Sequence, residues 1–177
     1  VYPKSAIFPP GTTSKEERKQ AKAEMVSSQD KAVFAAVNYL QSNPKIMATD
    51  TSSSEALSVG QVRANKLETK NIQFKVKETG GPSGGLVFAI ALVELLTERD
   101  ILHGEHIAGT GTINARGIVG GIGGINEKIA SAQKVGATLF FAPVSNASEI
   151  ANIPAGIKVV TVATLAQAIA YLETSKK

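Results

Sequence analysis

The stretch "GGPSGG" at residues 80–85, followed without a break by "LVFAIALVELL", constrains this chain more than any other feature. Glycine costs backbone entropy wherever a chain becomes ordered, so two pairs around a single hydroxyl imply a close approach that side chains would block. Apolar residues cover every face of 84–96, which predicts a helix at the centre of a domain. Upstream, "NIQFKVK" at 71–77 alternates Ile72, Phe74 and Val76 with polar residues and predicts a half-buried strand. Ser83 is thereby presented where a strand turns into a buried helix. Two chemistries use such a place: a phosphate held at a helix end, or a nucleophile exposed beside an oxyanion hole.

The rest of the chain fits around that turn. Residues 14–43 read as a helix capped near Thr13 and Ser14, broken near Ser27 and Ser28, and ended before Pro44. Residues 44–70 are polar and weakly periodic, a loop with short strands. In "IAGTGTINARGIVGGIGG", Ile107, Ile113, Ile118 and Val119 predict strands joined by a tight turn over 114–117. Beyond it come a helix from "INEKIASAQKVG" with Gly136 as its stop, a strand from "TLFFAP", a short helix from "SNASEIANI", a strand from "IKVVTV" and a closing helix from "TLAQAIAYLETSKK". This alternation predicts an α/β fold of mixed sheets and packed helices with at least one parallel strand pair.

Composition narrows the function. With 177 residues, 43% of them hydrophobic, the chain suits one domain with a proper core. Its 19 basic residues against 15 acidic ones are scattered and aromatics make up only 5%, which argues against nucleic acid as a partner. Cysteine is absent, excluding disulfides, thiol catalysis and cysteine-based zinc sites. His103 and His106 stand in "HGEH" with no third ligand in sight and read as ordinary surface-loop residues, so no metal is expected. "GTGTIN" and "GIGGIN" put Asn114 and Asn126 where G-x-G-x-x-G needs its last glycine, and no P-loop occurs; these glycines read as turn and packing residues, and no cofactor is implied.

Residues 81–85 do satisfy G-x-S-x-G between a predicted strand and a predicted helix. Asp100 and His103 lie too close together to complete a Ser/His/Asp triad, so another group must take the serine's proton. A lysine does so only when neutral, which near pH 7 asks its ordinary pKa of about 10.4 to drop to roughly 7–8, a shift of about 4 kcal/mol. Desolvation supplies shifts of that kind. Lys128 is the best-placed candidate: it falls in the first turn of a predicted helix after a glycine run, where a cation is disfavoured, beside Ile122, Ile125 and Ile129.

Together "GGPSGG", "GGINEK" and the intervening "AGTGTINARGIVGGIGG" resemble the proteolytic domain of the Lon family, over about residues 71–172. The resemblance is nearest to the exported, ATP-independent Lon-like proteases of Gram-positive bacteria, in which "GTGTI" and "FFAP" recur. It implies that Ser83 is the nucleophile and Lys128 the general base of a Ser/Lys endopeptidase. By the same resemblance Thr110 orients the lysine, and the Ser83 N–H together with Gly81 or Gly80 forms the oxyanion hole. It further implies a single domain over 1–177, made of an N-terminal extension and helix (1–43), a loop too short for the PDZ domain of those relatives (44–70) and a catalytic core (71–177). The expected partners are peptide or unfolded protein substrates, a membrane anchor outside this chain, which begins at Val1, and copies of itself in an oligomer. The expected location is the outer face of the cell membrane, with the cytoplasm as the alternative. Two other readings stand beside this one: a phosphate-binding small-molecule kinase, and a non-catalytic binding module of the same fold.

Overall fold

The computed structural model describes residues 14–44, 82–97 and 99–175. The loop expected beyond Pro44 and the strand expected over 71–77 lie outside the described residues. The first element, α1 (Ser14–Ser42), is one uninterrupted helix. It runs straight through Ser27 and Ser28, against the expected break. The reason is that Ser28 turns its hydroxyl toward Pro82, far along the chain, instead of competing for its own helix backbone. The buried residues that follow, Ala32, Val33, Ala35, Ala36, Val37 and Leu40, carry the helix onward along an apolar face. Its end lies where expected: the Asn43 side-chain amide donates to the Tyr39 carbonyl at 2.8 Å, one residue before Pro44.

A single 3-10 turn, Pro82–Gly84, leads into α2 (Gly85–Leu96). Leu86, Ala89, Ile90, Leu92 and Val93 are buried in the main core together with the apolar face of α1. Not every face is covered, however, and here the sequence expectation needs correcting. Leu95 is 77% exposed, because α2 lies over a core on one side and leaves an outer strip in solvent.

Three parallel strands, β1 (Ile107–Gly109), β4 (Leu139–Pro143) and β5 (Lys158–Val162), form a sheet in the order β1-β4-β5. All of β4 is buried, as a central strand covered on both faces must be. Its side chains alternate between two cores. Leu139 and Phe141 join α1, α2 and α4 (Leu165–Thr174), whereas Phe140 and Ala142 meet Ile125, Ile129 and Ala132 of α3 (Ile125–Lys134). Among the described residues the result is helix, sheet, helix, with α3 on one face and α1, α2 and α4 on the other.

The remaining strands, β2 (Thr112–Ile113) and β3 (Val119–Gly120), pair antiparallel. The expected turn over 114–117 joins them: Asn114 Oδ1 accepts from the N–H groups of Arg116 and Ile118, both at 3.0 Å. Gly136 stops α3 as expected, at φ 85°, while Ala137 N reaches back to the Ala132 carbonyl at 3.0 Å. The short helix expected from "SNASEIANI" is a 3-10 helix, Val144–Glu149. Thr164 caps α4 by accepting from Gln167 N at 3.2 Å, and Gln167 Oε1 accepts from Ala163 N at 2.7 Å. No helix among the described residues is long and apolar enough to cross a membrane.

Candidate active site

The serine turn is held by parts of the chain that are remote in sequence. The Ser83 carbonyl accepts two hydrogen bonds, from Gly111 N at 2.8 Å and from Thr110 Oγ1 at 3.0 Å. The Gly111 carbonyl in turn accepts from Leu86 N at 3.1 Å, so the segment after β1 brackets the turn from Ser83 to the first turn of α2. One residue earlier, Ser28 Oγ of α1 donates to the Pro82 carbonyl at 2.9 Å. Both carbonyls around the serine are thus engaged by groups from elsewhere in the fold. Thr110 is itself placed by the sheet, since its N–H donates to the Phe141 carbonyl at 2.9 Å, one step beyond the β1-β4 ladder. The turn therefore sits beside the carboxyl ends of parallel strands, a usual place for sites in open α/β sheets.

Two glycines are required by this packing. Gly111 has φ 149°, and a Cβ there would lie 2.8 Å from Val119 Cγ1. A Cβ on Gly85 would come within 2.9 Å of Ile113 Cγ2 and 3.0 Å of Ser28 Oγ. Gly85 accordingly lets α1, α2 and β2 meet inside the protein, a use that differs from the approach of an external group.

Lys128 arrives from the other face of the sheet. It lies in the first turn of α3, whose N-cap Gly124 has a left-handed backbone at φ 70°. The loop before that cap is tied down by Asn146, which is 3% exposed. Its Oδ1 accepts from Ile122 N at 3.0 Å, and its Nδ2 donates to the Ile122 carbonyl at 2.8 Å and to Glu149 Oε1 at 2.9 Å. Asn126 adds a second tie, donating to the Glu149 carbonyl at 2.8 Å and accepting from Ala151 N at 2.9 Å. From this footing Lys128 Nζ donates to Ser83 Oγ across 3.4 Å, at the long end of hydrogen-bonding distance. Both side chains are partly buried.

The structure thus brings Ser83 and Lys128 together, 45 residues apart in the chain. Thr110 is adjacent but turned elsewhere. Thr110 is 3% exposed; its hydroxyl serves the Ser83 carbonyl, and no hydrogen bond joins it to Lys128 among the described residues. The hydrogen bond that the Thr110 hydroxyl makes is with the serine's backbone. Gly80 and Gly81 lie outside the described residues. Asn114 closes the turn expected over 114–117, and Asn126 straps a loop. His106 is exposed, but His103 departs from an ordinary loop residue, with φ 51° and a buried Nε2 that has no hydrogen-bond partner among the described residues. Ser28 and Asn146 escaped the sequence reading. Each is a buried polar residue in a polar stretch, and only their burial distinguishes them from neighbouring serines and asparagines.

Comparison with known proteins places this chain in a family. Residues 45–172 match the Lon protease (S16) C-terminal proteolytic domain. The chain belongs to that family, and the class of protein it defines is the serine peptidase. Among its relatives, the Lon protease of Mesomycoplasma hyopneumoniae (strain 232) is 40% identical over 78 residues, covering 44% of this chain and 9% of that protein. Lon protease 1 of Bacillus subtilis (strain 168) is likewise 40% identical over 78 residues, with 44% and 10% covered. A longer alignment, 114 residues at 33% identity, joins it to the Lon protease of Mycoplasmopsis agalactiae, with 58% and 11% covered. The matched part of the chain spans about a tenth of the length of these relatives.

Proposed function

We propose that the protein is an endopeptidase that cleaves peptide bonds in unfolded proteins or peptides with Ser83 as nucleophile and Lys128 as base, without ATP. The observation that carries this reading is the 3.4 Å approach of Lys128 Nζ to Ser83 Oγ at the start of α2. In its neutral form the Lys128 amine accepts the hydroxyl proton as Ser83 Oγ forms a bond to the scissile carbonyl carbon. The resulting oxyanion lies toward the N–H of Ser83, with Gly81 or Gly80 as the second donor, and near the positive end of the α2 dipole. Collapse of the tetrahedral intermediate breaks the C–N bond, and the proton held by Lys128 passes to the leaving amine. Water then attacks the acyl-serine, giving its proton to Lys128, and the ester bond breaks to release the acid and restore the hydroxyl. Thr110 supports the serine from beneath by holding its carbonyl.

The family match supports this reading over a phosphate-binding kinase or a module without activity. We place the working protein on the outer face of the cell membrane, held by an anchor outside these residues; the likeness of "GTGTI" and "FFAP" to exported relatives supports this. Fractionation of cells producing the natural protein tests that location. The activity is tested by incubating the protein with an unfolded protein substrate in the absence of ATP. The parent cleaves, while Ser83→Ala and Lys128→Ala each lose about a thousandfold or more of the rate. Variants that cut as well as the parent would overturn the dyad.

A further inference from the structure

Ser28 is a buried hydroxyl that the peptidase mechanism leaves unused. It is 2% exposed, and among the described residues it is the buried polar member of an α1 face that also buries Ala32, Val33, Ala35, Ala36, Val37 and Leu40. Burying a hydroxyl is costly unless it is paired, so its partner indicates what the position is for. That partner is the Pro82 carbonyl, 54 residues away and 2.9 Å from Ser28 Oγ.

The Pro82 carbonyl and the Ser83 N–H are the two ends of one planar peptide unit, and in the trans form they point in opposite directions. A donor on the carbonyl therefore does two things to the N–H: it fixes the direction in which the N–H points, and it polarises the unit so that the N–H becomes a better donor. The following peptide is held as well, with the Ser83 carbonyl engaged by Thr110 and Gly111. Rotation of the Ser83 N–H away from its site would break the Ser28 bond and leave a buried hydroxyl without its acceptor. Gly85 makes the arrangement possible, because a Cβ there would come within 3.0 Å of Ser28 Oγ.

We propose that Ser28 is a positioning residue for the oxyanion hole, acting through the Pro82–Ser83 peptide, and that α1 is thereby a working part of the active site. This rests on the peptidase reading above, in which the Ser83 N–H receives the oxyanion. Residue 28 lies outside the span matched by the family, so the family match assigns it no role.

The test uses the full chain with the variants Ser28→Ala, Ser28→Cys and Ser28→Thr. Cysteine nearly preserves the volume while donating poorly, which covers the case in which alanine fails to fold. Each variant is assayed for kcat and KM, and for inhibition by a peptide aldehyde, whose adduct with serine carries an oxyanion, and by the matching peptide alcohol, which forms none. The expected result is a kcat about tenfold lower for alanine and cysteine with KM little changed, since weakening one donor forfeits part of the effect of removing it. Aldehyde affinity falls by the same factor, alcohol affinity holds, and threonine restores both. The proposal is overturned if aldehyde and alcohol weaken together, which marks a merely structural role. It is equally overturned if kcat and aldehyde affinity stay within about twofold of the parent while Ser83→Ala is inactive, a result that leaves the peptidase reading intact. An active Ser83→Ala would remove both.

Discussion

The two halves of the candidate site are built differently. The serine turn is held by long-range bonds, from Ser28 in α1 and from Thr110 and Gly111 after β1. The lysine side is held within one stretch of the chain, with Asn146 and Asn126 linking the entry of α3 to residues 23 to 25 positions away. The serine side thus depends on the whole fold being closed around it. The lysine side is closer to a local unit of glycine loop, helix and 3-10 turn. Geometry at the nucleophile is therefore exposed to damage anywhere in the main core, whereas geometry at the base answers mainly to its own loop.

Substitutions at the ties separate the two halves. Gly111→Ala should have the largest effect on the serine side, because a Cβ at φ 149° meets Val119. Overpacking of this kind costs about 1–3 kcal/mol, with backbone strain adding to it. Denaturant unfolding should show that loss, and activity should fall with it. Asn146→Leu leaves the Ile122 N–H and carbonyl without their side-chain partners, at about 1–3 kcal/mol. Here kcat should drop more than stability does, because the loop leading to Lys128 loses its tie; a variant with parental kcat would show that the strap is not needed. Asn126→Ala breaks two exposed bonds and should cost only about 0.5–1.5 kcal/mol, with a smaller loss of kcat.

The smallest effect expected near neutral pH is at Tyr39, on α1. Burial, with the Glu173 carboxylate adding to it, pushes the Tyr39 phenol up to about 12. An unfolded tyrosine titrates near 10, so between about pH 10 and 12 the unfolded chain gives up a proton that the folded chain keeps. Stability from this group is intact below pH 10 and falls as pH rises toward 12. Thermal melts across that range should show a decline that Tyr39→Phe reduces. If the serine side depends on α1, loss of activity should track the decline.

Much of the site was readable as local chemistry. The placing of Ser83 at a helix start, of Lys128 in the first turn after glycines, of the turn at Asn114 and of the stop at Gly136 all follow from residue preferences within a few positions. The same rules misjudged Ser27 and Ser28 as a helix break, because serine's habit of competing with its own backbone assumes that no better acceptor is near. They also covered α2 on every face, because an apolar run records what can be buried and Leu95 shows that not all of it is.

By itself the sequence determined most of the described elements, their order and which hydroxyl and which amine stand at helix starts, since these depend on periodicity and turn residues close together in the chain. Only the tertiary structure decided that Lys128 comes within 3.4 Å of Ser83, that Thr110 serves the serine's carbonyl, and that Ser28 and Asn146 matter at all. Each of these is a hydrogen bond from a side chain to a group more than twenty residues away, another side chain for Lys128 and a backbone group for the others. Such bonds exist only once burial has removed water as the competing partner, and no local pattern in the chain encodes that removal.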